Sequence, residues 1–186
     1  MIALIIILFI LVVLAIAIIV MRNNLVASKQ KVKNAWSQID VQLQRRFDLI
    51  PNLVETVKGY MAHESDVLEK VTSLRSSWAS AKTISDKANI DSALSETLKT
   101  IMAVSENYPD LKANQNFISL QEELSKTEDK ISFARQFYND TVTRYNTQLE
   151  MFPSNLVASM FNFASEALFE VANEEARKNV KVDFNK

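Results

Sequence analysis

MIALIIILFILVVLAIAIIVM, the sequence of residues 1–21, contains no charged or polar side chain and is followed directly by Arg22. About 20 helical residues, each rising about 1.5 Å, cross a hydrocarbon core about 30 Å thick, so this run predicts a membrane-spanning helix. A helix buried in a soluble core would show a polar stripe, and this run has none. A cleaved signal peptide fits less well, because no basic segment precedes the run and no clear small-residue cleavage site follows it. We therefore expect an uncleaved anchor.

The residues after the anchor predict its orientation. Residues 22–33 carry only basic charges, and the first acidic residue is Asp40. Lys and Arg beside a span stay on the cytoplasmic side, and anionic lipid attracts them there. The pattern predicts a single-pass protein of the cell membrane, with its N-terminus outside and its C-terminal domain in the cytoplasm.

The composition of the remaining chain favours one helical domain. It carries all 21 Lys and Arg and all 22 Asp and Glu residues, so it is nearly neutral, which argues against nucleic acid as the main partner. The whole chain has one Gly and three Pro, and tight turns usually need Gly. We expect a basic juxtamembrane segment at 22–33, a helical bundle at 34–176 and a tail at 177–186.

Apolar residues spaced three and four apart predict long amphipathic helices. The first such stretch runs from Val32 to Trp78, and its phase is the same on both sides of Pro51. A proline inside a helix bends or breaks it, so we expect one long helix, about residues 30–80, kinked near Pro51.

Two further stretches show the same spacing, at residues 90–104 and 117–152. Asn114 or Asn116 is suited to cap the second of them, since a short polar side chain accepts bonds from the first free amides of a helix. Together these stretches predict an all-α protein: an N-terminal transmembrane helix followed by an elongated, four-helix-bundle-like soluble domain.

Two segments of the chain resemble the LemA family. They are AWSQIDVQLQRRFDLIPNLV at residues 35–54 and ARQFYND at residues 134–140, with VKGY at 57–60 and a Val-Lys-Val-Asp-Phe ending at 180–184 in support. The resemblance covers nearly the whole chain. It implies a bacterial, membrane-anchored protein with a helical, four-helix-bundle-like soluble part, and it implies a fold and a location rather than an activity.

The sequence contains few of the residue patterns that catalytic sites and metal sites need. His63 is the single His, there is no Cys, and Val67 stands where the second His of a zinc-protease helix would be. One Gly is too few for a phosphate-binding loop. We therefore expect no catalytic, metal or cofactor site and no small-molecule substrate.

Polar residues beside the apolar stripes are candidate interaction residues. On each of two predicted helices they are spaced so that they share one face. One interpretation is a polar cluster between helices that fixes their register or forms part of a partner surface, and the other is an ordinary solvated face. The candidates are Arg45, Arg46, Asp48, Asn52, Glu55, Arg135, Asn139 and Asn146.

A fourth segment follows Pro153, where Ser154 or Asn155 is suited to cap a helix, and it is dense in Phe. Its apolar side chains exceed one helical stripe, so they either complete the core or contact the bilayer surface or another protomer. The candidate contacts are Phe161, Phe163 and Phe169.

These patterns predict a membrane-anchored, non-enzymatic helical scaffold or interaction protein. The alternative is a self-assembling, membrane-organising protein that acts through homo-oligomers. The expected partners are membrane lipid and either another protein or a second copy of the chain.

Overall fold

The computed structural model describes residues 1–61 and 63–170, which form helices and contain no strand. The predicted tail 177–186, including the ending at 180–184, lies outside the described residues. The all-α class is confirmed, with four long helices and two short ones in the described part. The helices are α1 (Ile2–Lys58), α2 (Ser65–Ser80), α3 (Ile84–Ser105), α4 (Pro109–Lys112), α5 (Gln115–Glu150) and α6 (Ser154–Met160).

Helix α1 contains the apolar run and continues from it into the folded domain. Residues 1–16 are exposed on every side of the helix, which suits a segment that lipid surrounds. Within the described residues, α1 is the helix long and apolar enough to cross a membrane. Burial begins with Leu25, which is 2% exposed. The basic segment 22–33 is therefore part of the same helix as the span.

The prediction of one helix over residues 30–80 is right at Pro51 and wrong further on. Helix α1 passes through Pro51 and ends at Lys58, and the chain does not become helical again until Ser65. At the end of α1 the amides of Tyr60 and Met61 both donate to the carbonyl of Val57. The spacing of apolar residues did not predict this break. Such a spacing indicates which residues share one face, but it does not show whether the helix is continuous between them.

The chain divides into two compact units. Among the described residues, the first comprises Met1–Arg46 with Leu124–Leu168, and the second comprises Phe47–Glu123 with Phe169 and Glu170. In the first unit, α1 and α5 run antiparallel. Three pairs of residues mark their register: Leu25 with Leu149 in one apolar cluster, Trp36 with Tyr138 in ring contact, and Arg46 with Glu128 as an ion pair.

The register between these two helices is constant. From one pair to the next, the residue numbers rise by 11 and then 10 along α1 and fall by the same steps along α5. Buried positions in this unit also recur every seven residues, a repeat that keeps one seam of a helix facing its neighbour. They are Leu25, Val32, Ile39 and Arg46 on α1, and Leu124, Ile131, Tyr138 and Tyr145 on α5.

In the second unit, α2 and α3 pack against each other. The Phe47 ring stacks on that of Trp78, with centroids 4.6 Å apart and an interplanar angle of 15°, and Lys87 Nζ lies 4.6 Å from the Trp78 centroid. Trp78 is 6% exposed, as expected for a core aromatic residue. In the first unit, Trp36 is half-buried.

The predicted cap of α5 is confirmed at Asn114. Its Oδ1 accepts from the amides of Asn116 (2.9 Å) and Phe117 (3.2 Å). Helix α3 is capped in the same way by Thr83, whose hydroxyl accepts from the Asp86 amide at 3.0 Å. Sequence analysis missed this cap because several polar residues in a row offered no unique choice.

The predicted caps of the fourth segment are wrong, and the helix there is short. The N-cap of α6 is Pro153, with no capping side chain, and the helix ends at Met160. Asn162 follows with φ 54°, a left-handed conformation that Asn tolerates better than most residues. The amide of Phe163 donates to Ala158 (2.9 Å) and that of Asn162 to Ser159 (3.2 Å), which is a Schellman end. Residues 163–170 are therefore not helical.

We expect the Asn162 position to discriminate between side chains by backbone conformation alone, because the residue is exposed. Asn162→Gly should leave the free energy of unfolding nearly unchanged or raise it slightly, since Gly adopts positive φ without strain. Asn162→Val should lower it by about 1–3 kcal/mol. Urea unfolding of the full chain in detergent measures both, and equal stabilities for the Gly and Val variants would contradict the assignment.

Candidate functional site

An extended segment, Phe163–Leu168, lies along α5 and is called the strap below. Two tyrosines of α5 hold its backbone: Tyr145 Oη donates to the carbonyl of Ala164 (3.0 Å), and Tyr138 Oη donates to that of Ala167 (2.7 Å). Seven helical residues span about 10.5 Å, and three extended residues span about 10 Å. The two spacings match, so the strap runs antiparallel to α5 with its carbonyls aligned to successive tyrosines.

Asn146 fixes the middle of the strap. Its Nδ2 donates to the Glu166 carbonyl (2.9 Å), and its Oδ1 accepts from the Glu166 amide (3.0 Å). This paired contact satisfies both backbone groups of one residue, as a neighbouring strand would. The Glu166 carboxylate in turn lies 3.3 Å from Lys29 Nζ, which joins the strap to α1. The predicted site residue Asn146 is therefore a structural clamp within the first unit.

The strap raises the pKa of both tyrosines. Burial raises the pKa of Tyr138 from 10.0 to about 12, with a smaller contribution from the negative charge of Glu166. Burial also raises the pKa of Tyr145, and there the charge of Lys29 opposes that of Glu166. Both hydroxyls remain protonated donors at neutral pH, as the bonds to the strap require. Two buried tyrosines seven residues apart, each needing a partner, were the sequence signal for the strap.

Arg46 is a charged residue within the buried seam of α1. Its side chain is 4% exposed, and Nη1 lies 2.7 Å from Glu128 Oε2 of α5. A buried charge is tolerated only when it is paired, and a polar residue at a seam position selects one alignment of the helices. Register fixing was one interpretation of the polar candidates, beside a partner surface and a solvated face, and it stays a prediction.

The other polar candidates occupy the surface or its edge. Arg45, Asp48, Asn52 and Glu55 are all exposed, on one helix, and Arg135 and Asn139 are half-buried on α5. Their grouping into a single cluster stays a prediction. In the second unit, a polar cavity of about 410 Å³ is lined by Asn52, Glu55, Thr56, Asn116, Ser119, Leu120 and Glu123.

An exposed apolar groove lies between α1 and α5 in the first unit. Its three large apolar side chains are Val41 (61% exposed), Phe133 (78%) and Phe137 (53%), and its volume is about 570 Å³. Ser37, Gln38, Gln42, Lys130 and Ala134 complete the lining. Sequence analysis missed the groove because it followed the apolar stripes of the helices, and Val41, Phe133 and Phe137 fall outside these stripes. Large apolar residues outside a stripe were the signal that could have revealed it.

The three candidate Phe residues have different surroundings. Phe161 is 41% exposed and lies over Arg22, with 5.2 Å from Cζ to the ring centroid. Phe163 is half-buried and packs on the cluster of Leu25, Val157 and Ala158. Phe169 is 1% exposed, so it is not part of the exposed apolar surface.

Within residues 1–61 and 63–170, no three His, Asp or Glu side chains come together as metal ligands. His63 is exposed in the turn between α1 and α2. The surfaces of this part of the chain that can recognise another molecule include the apolar groove and the apolar residues around α6.

Comparison with known proteins places these features in a family. The family model described as LemA family matches residues 35–184. Protein LemA of Metamycoplasma hominis is 27% identical over 157 residues, covering 83% of this chain and 71% of that protein. Magnetosome proteins MamQ 1 and MamQ 2 of Paramagnetospirillum magneticum are each 26% identical over 182 residues, covering 83% of this chain and 67% of each relative. The groove and the strap clamps both lie within the matched region.

We expect the contribution of Tyr138 to stability to disappear in alkali. Its pKa is higher in the folded chain than in the unfolded one, so its contribution is complete below pH 10 and is lost as the pH rises towards about 12. Urea unfolding of the full chain in detergent, followed by Trp fluorescence, should show the stability difference between wild type and Tyr138→Phe shrinking over this range. Tyr108→Phe is the control, and a difference for Tyr138→Phe that is independent of pH would contradict the prediction.

Proposed function

This chain belongs to the LemA family and is a helical, membrane-associated protein, and from this premise we propose that it is a non-enzymatic interaction protein. In this proposal α1 anchors the chain by a single span, and the apolar groove of the first unit binds a helix of a partner protein. The observation that carries the proposal is the exposure of Val41, Phe133 and Phe137 around one cavity.

The groove has the chemistry of a helix-binding site. Three exposed apolar side chains border a furrow between two antiparallel helices, and an amphipathic helix lays its apolar face into such a furrow. Lys130 at the edge favours an acidic residue on the partner, and Gln38 and Gln42 offer amide groups that both donate and accept. We therefore propose an amphipathic helix with an acidic flank as the occupant.

A non-enzymatic role agrees with the lining of this groove. Lys130 is the single ionisable side chain among the lining residues, and the others are amide, hydroxyl or apolar groups. A catalytic cleft places titratable groups together and perturbs them. The raised pKa values of Tyr138 and Tyr145 belong to hydroxyls that donate to the strap.

Self-assembly is the alternative function, and one observation favours it. Phe133 is a protruding side chain directly beside the cavity that it borders, so the same patch presents both a knob and a hole. A two-fold interface brings such a patch against its own copy. In that case the groove would be filled by a second molecule of this chain.

The proposed orientation has the N-terminus outside and the domain in the cytoplasm, and it rests on the basic residues at 22–33. The chain contains no Cys, so single cysteines introduced at Ser28 and Ser125 report cleanly. In intact bacterial cells, an impermeant thiol reagent should leave both sites unlabelled, and it should label them after the membrane is opened. Labelling in intact cells would reverse the orientation.

The groove is tested by site-specific photo-crosslinking in cells. A photoreactive phenylalanine analogue at position 133 or 137 of the full chain should give a discrete adduct, because both side chains protrude into the proposed site. The exposed Gln136 does not line the groove and is the control position. Val41→Asp should abolish the adduct, since a charge in an apolar furrow is costly to bury.

The identity of the adduct separates the two functions. An adduct containing a second protein supports the scaffold function, and an adduct of two copies of this chain supports self-assembly. Equal crosslinking from positions 133 and 136, or none from either Phe position, would contradict a binding role for the groove. Val41→Asp should leave the thermal midpoint nearly unchanged, because Val41 is exposed.

A further inference from the structure

Helix α6 packs against the end of the membrane span. Val157 and Ala158 of α6 form a buried cluster with Leu25, and Ile18 and Met21 pack against it from within the apolar run. Leu25 lies seven positions after Ile18, which is about 10.5 Å along the helix. Helix α6 is therefore level with the last two turns of the span, at the depth where α1 leaves the hydrocarbon core.

Phe161 gives a second, independent measure of this depth. Its ring lies 5.2 Å from the Arg22 guanidinium, and Arg22 is the first charge after the span. A basic side chain at this point extends towards the lipid headgroups, and aromatic rings concentrate at the same level of a bilayer. The contact therefore holds Phe161 at the membrane–water boundary.

The segment that contains α6 carries no charged side chain of its own. Residues 151–165 form the longest stretch without a charged side chain outside the first 21 residues. Residues 151–161, called the α6 corner below, expose a set of large apolar side chains. These are Met151, Phe152, Leu156, Met160 and Phe161.

We propose that the α6 corner is a second membrane contact, which lies in the interfacial layer of the leaflet where α1 leaves the bilayer. The molecule that it contacts is lipid, because the corner is held at the depth of the headgroups. Residues 151–161 also carry no charged side chain, so the corner continues the apolar surface of the span. Leu156 and Met160 insert towards the acyl chains, and Phe161 lies at headgroup level beside Arg22. The chain then contacts the bilayer through a span and a surface element, a geometry typical of interfacial amphipathic segments.

Two points of attachment restrict the domain in a way that one span cannot. The span fixes the position of the domain in the membrane. The α6 corner fixes the rotation of the domain about the axis of α1, because one side of the domain must stay at the membrane surface. Because the strap begins at Phe163, directly after the corner, the residues clamped by Tyr145 and Asn146 are held just above the lipid. This inference does not depend on what occupies the groove.

Spin labels on single cysteines in the full chain test the proposal, in vesicles of phosphatidylcholine and phosphatidylglycerol. Leu156→Cys is the test site and Ser125→Cys the control, since both residues are exposed and Ser125, on α5, does not line the groove. Val12→Cys, within the span, is the lipid-exposed standard. Collision with oxygen, which concentrates in lipid, and with a water-soluble nickel chelate measures the depth of each label.

We expect the label at Leu156 to show more collision with oxygen and less with nickel than the label at Ser125, in the direction of Val12. Met160→Cys should behave like Leu156→Cys, and it provides a second site if one label disturbs the fold. Equal nickel accessibility at Leu156 and Ser125 would place the corner in water and overturn the proposal. Protection of Leu156 from both reagents would overturn it too, because the corner would then be covered by a second copy of the chain.

Discussion

The antiparallel packing of α5 on α1 in a single register is the constraint on which the first unit depends. It aligns Leu25 with Leu149, Trp36 with Tyr138 and Arg46 with Glu128. The groove exists because Val41 and the Phe pair at 133 and 137 come to the same edge of this pairing. Tyr138, Tyr145 and Asn146 of α5 contact the strap because the chain reverses direction at α6 and then runs antiparallel to α5.

The Arg46–Glu128 pair makes this register specific rather than merely stable. Apolar seams with a seven-residue repeat can slide by one repeat with little change in apolar contact. A slide of that size would move the Arg46 guanidinium by about 10.5 Å and separate this buried charge from the half-exposed Glu128 carboxylate. Because a buried charge is costly without its partner, the ion pair favours the observed alignment over the neighbouring ones.

The fold was predictable where it depends on periodic burial, and unpredictable where it depends on single contacts. The all-α class, the passage of α1 through Pro51 and the Asn114 cap all follow from local patterns. The break at Gly59 does not, because the apolar phase continues across it. The strap does not either: residues 163–168 have no pattern of their own, and they are ordered by side chains 19 or more residues earlier in the chain. Apolar density in the sequence likewise did not separate the buried Phe169 from the exposed Phe161.

The continuity of α1 from Ile2 to Lys58 has a mechanical consequence. No turn or break separates the lipid-facing residues from Val41 of the groove, so the span and this part of the domain act as one stiff rod. Spans longer than the local hydrocarbon thickness accommodate the mismatch by tilting. A tilt of this rod inclines the groove by the same angle, whereas an α6 corner at the surface would resist it. The angle between the groove and the membrane surface thereby becomes a function of bilayer thickness.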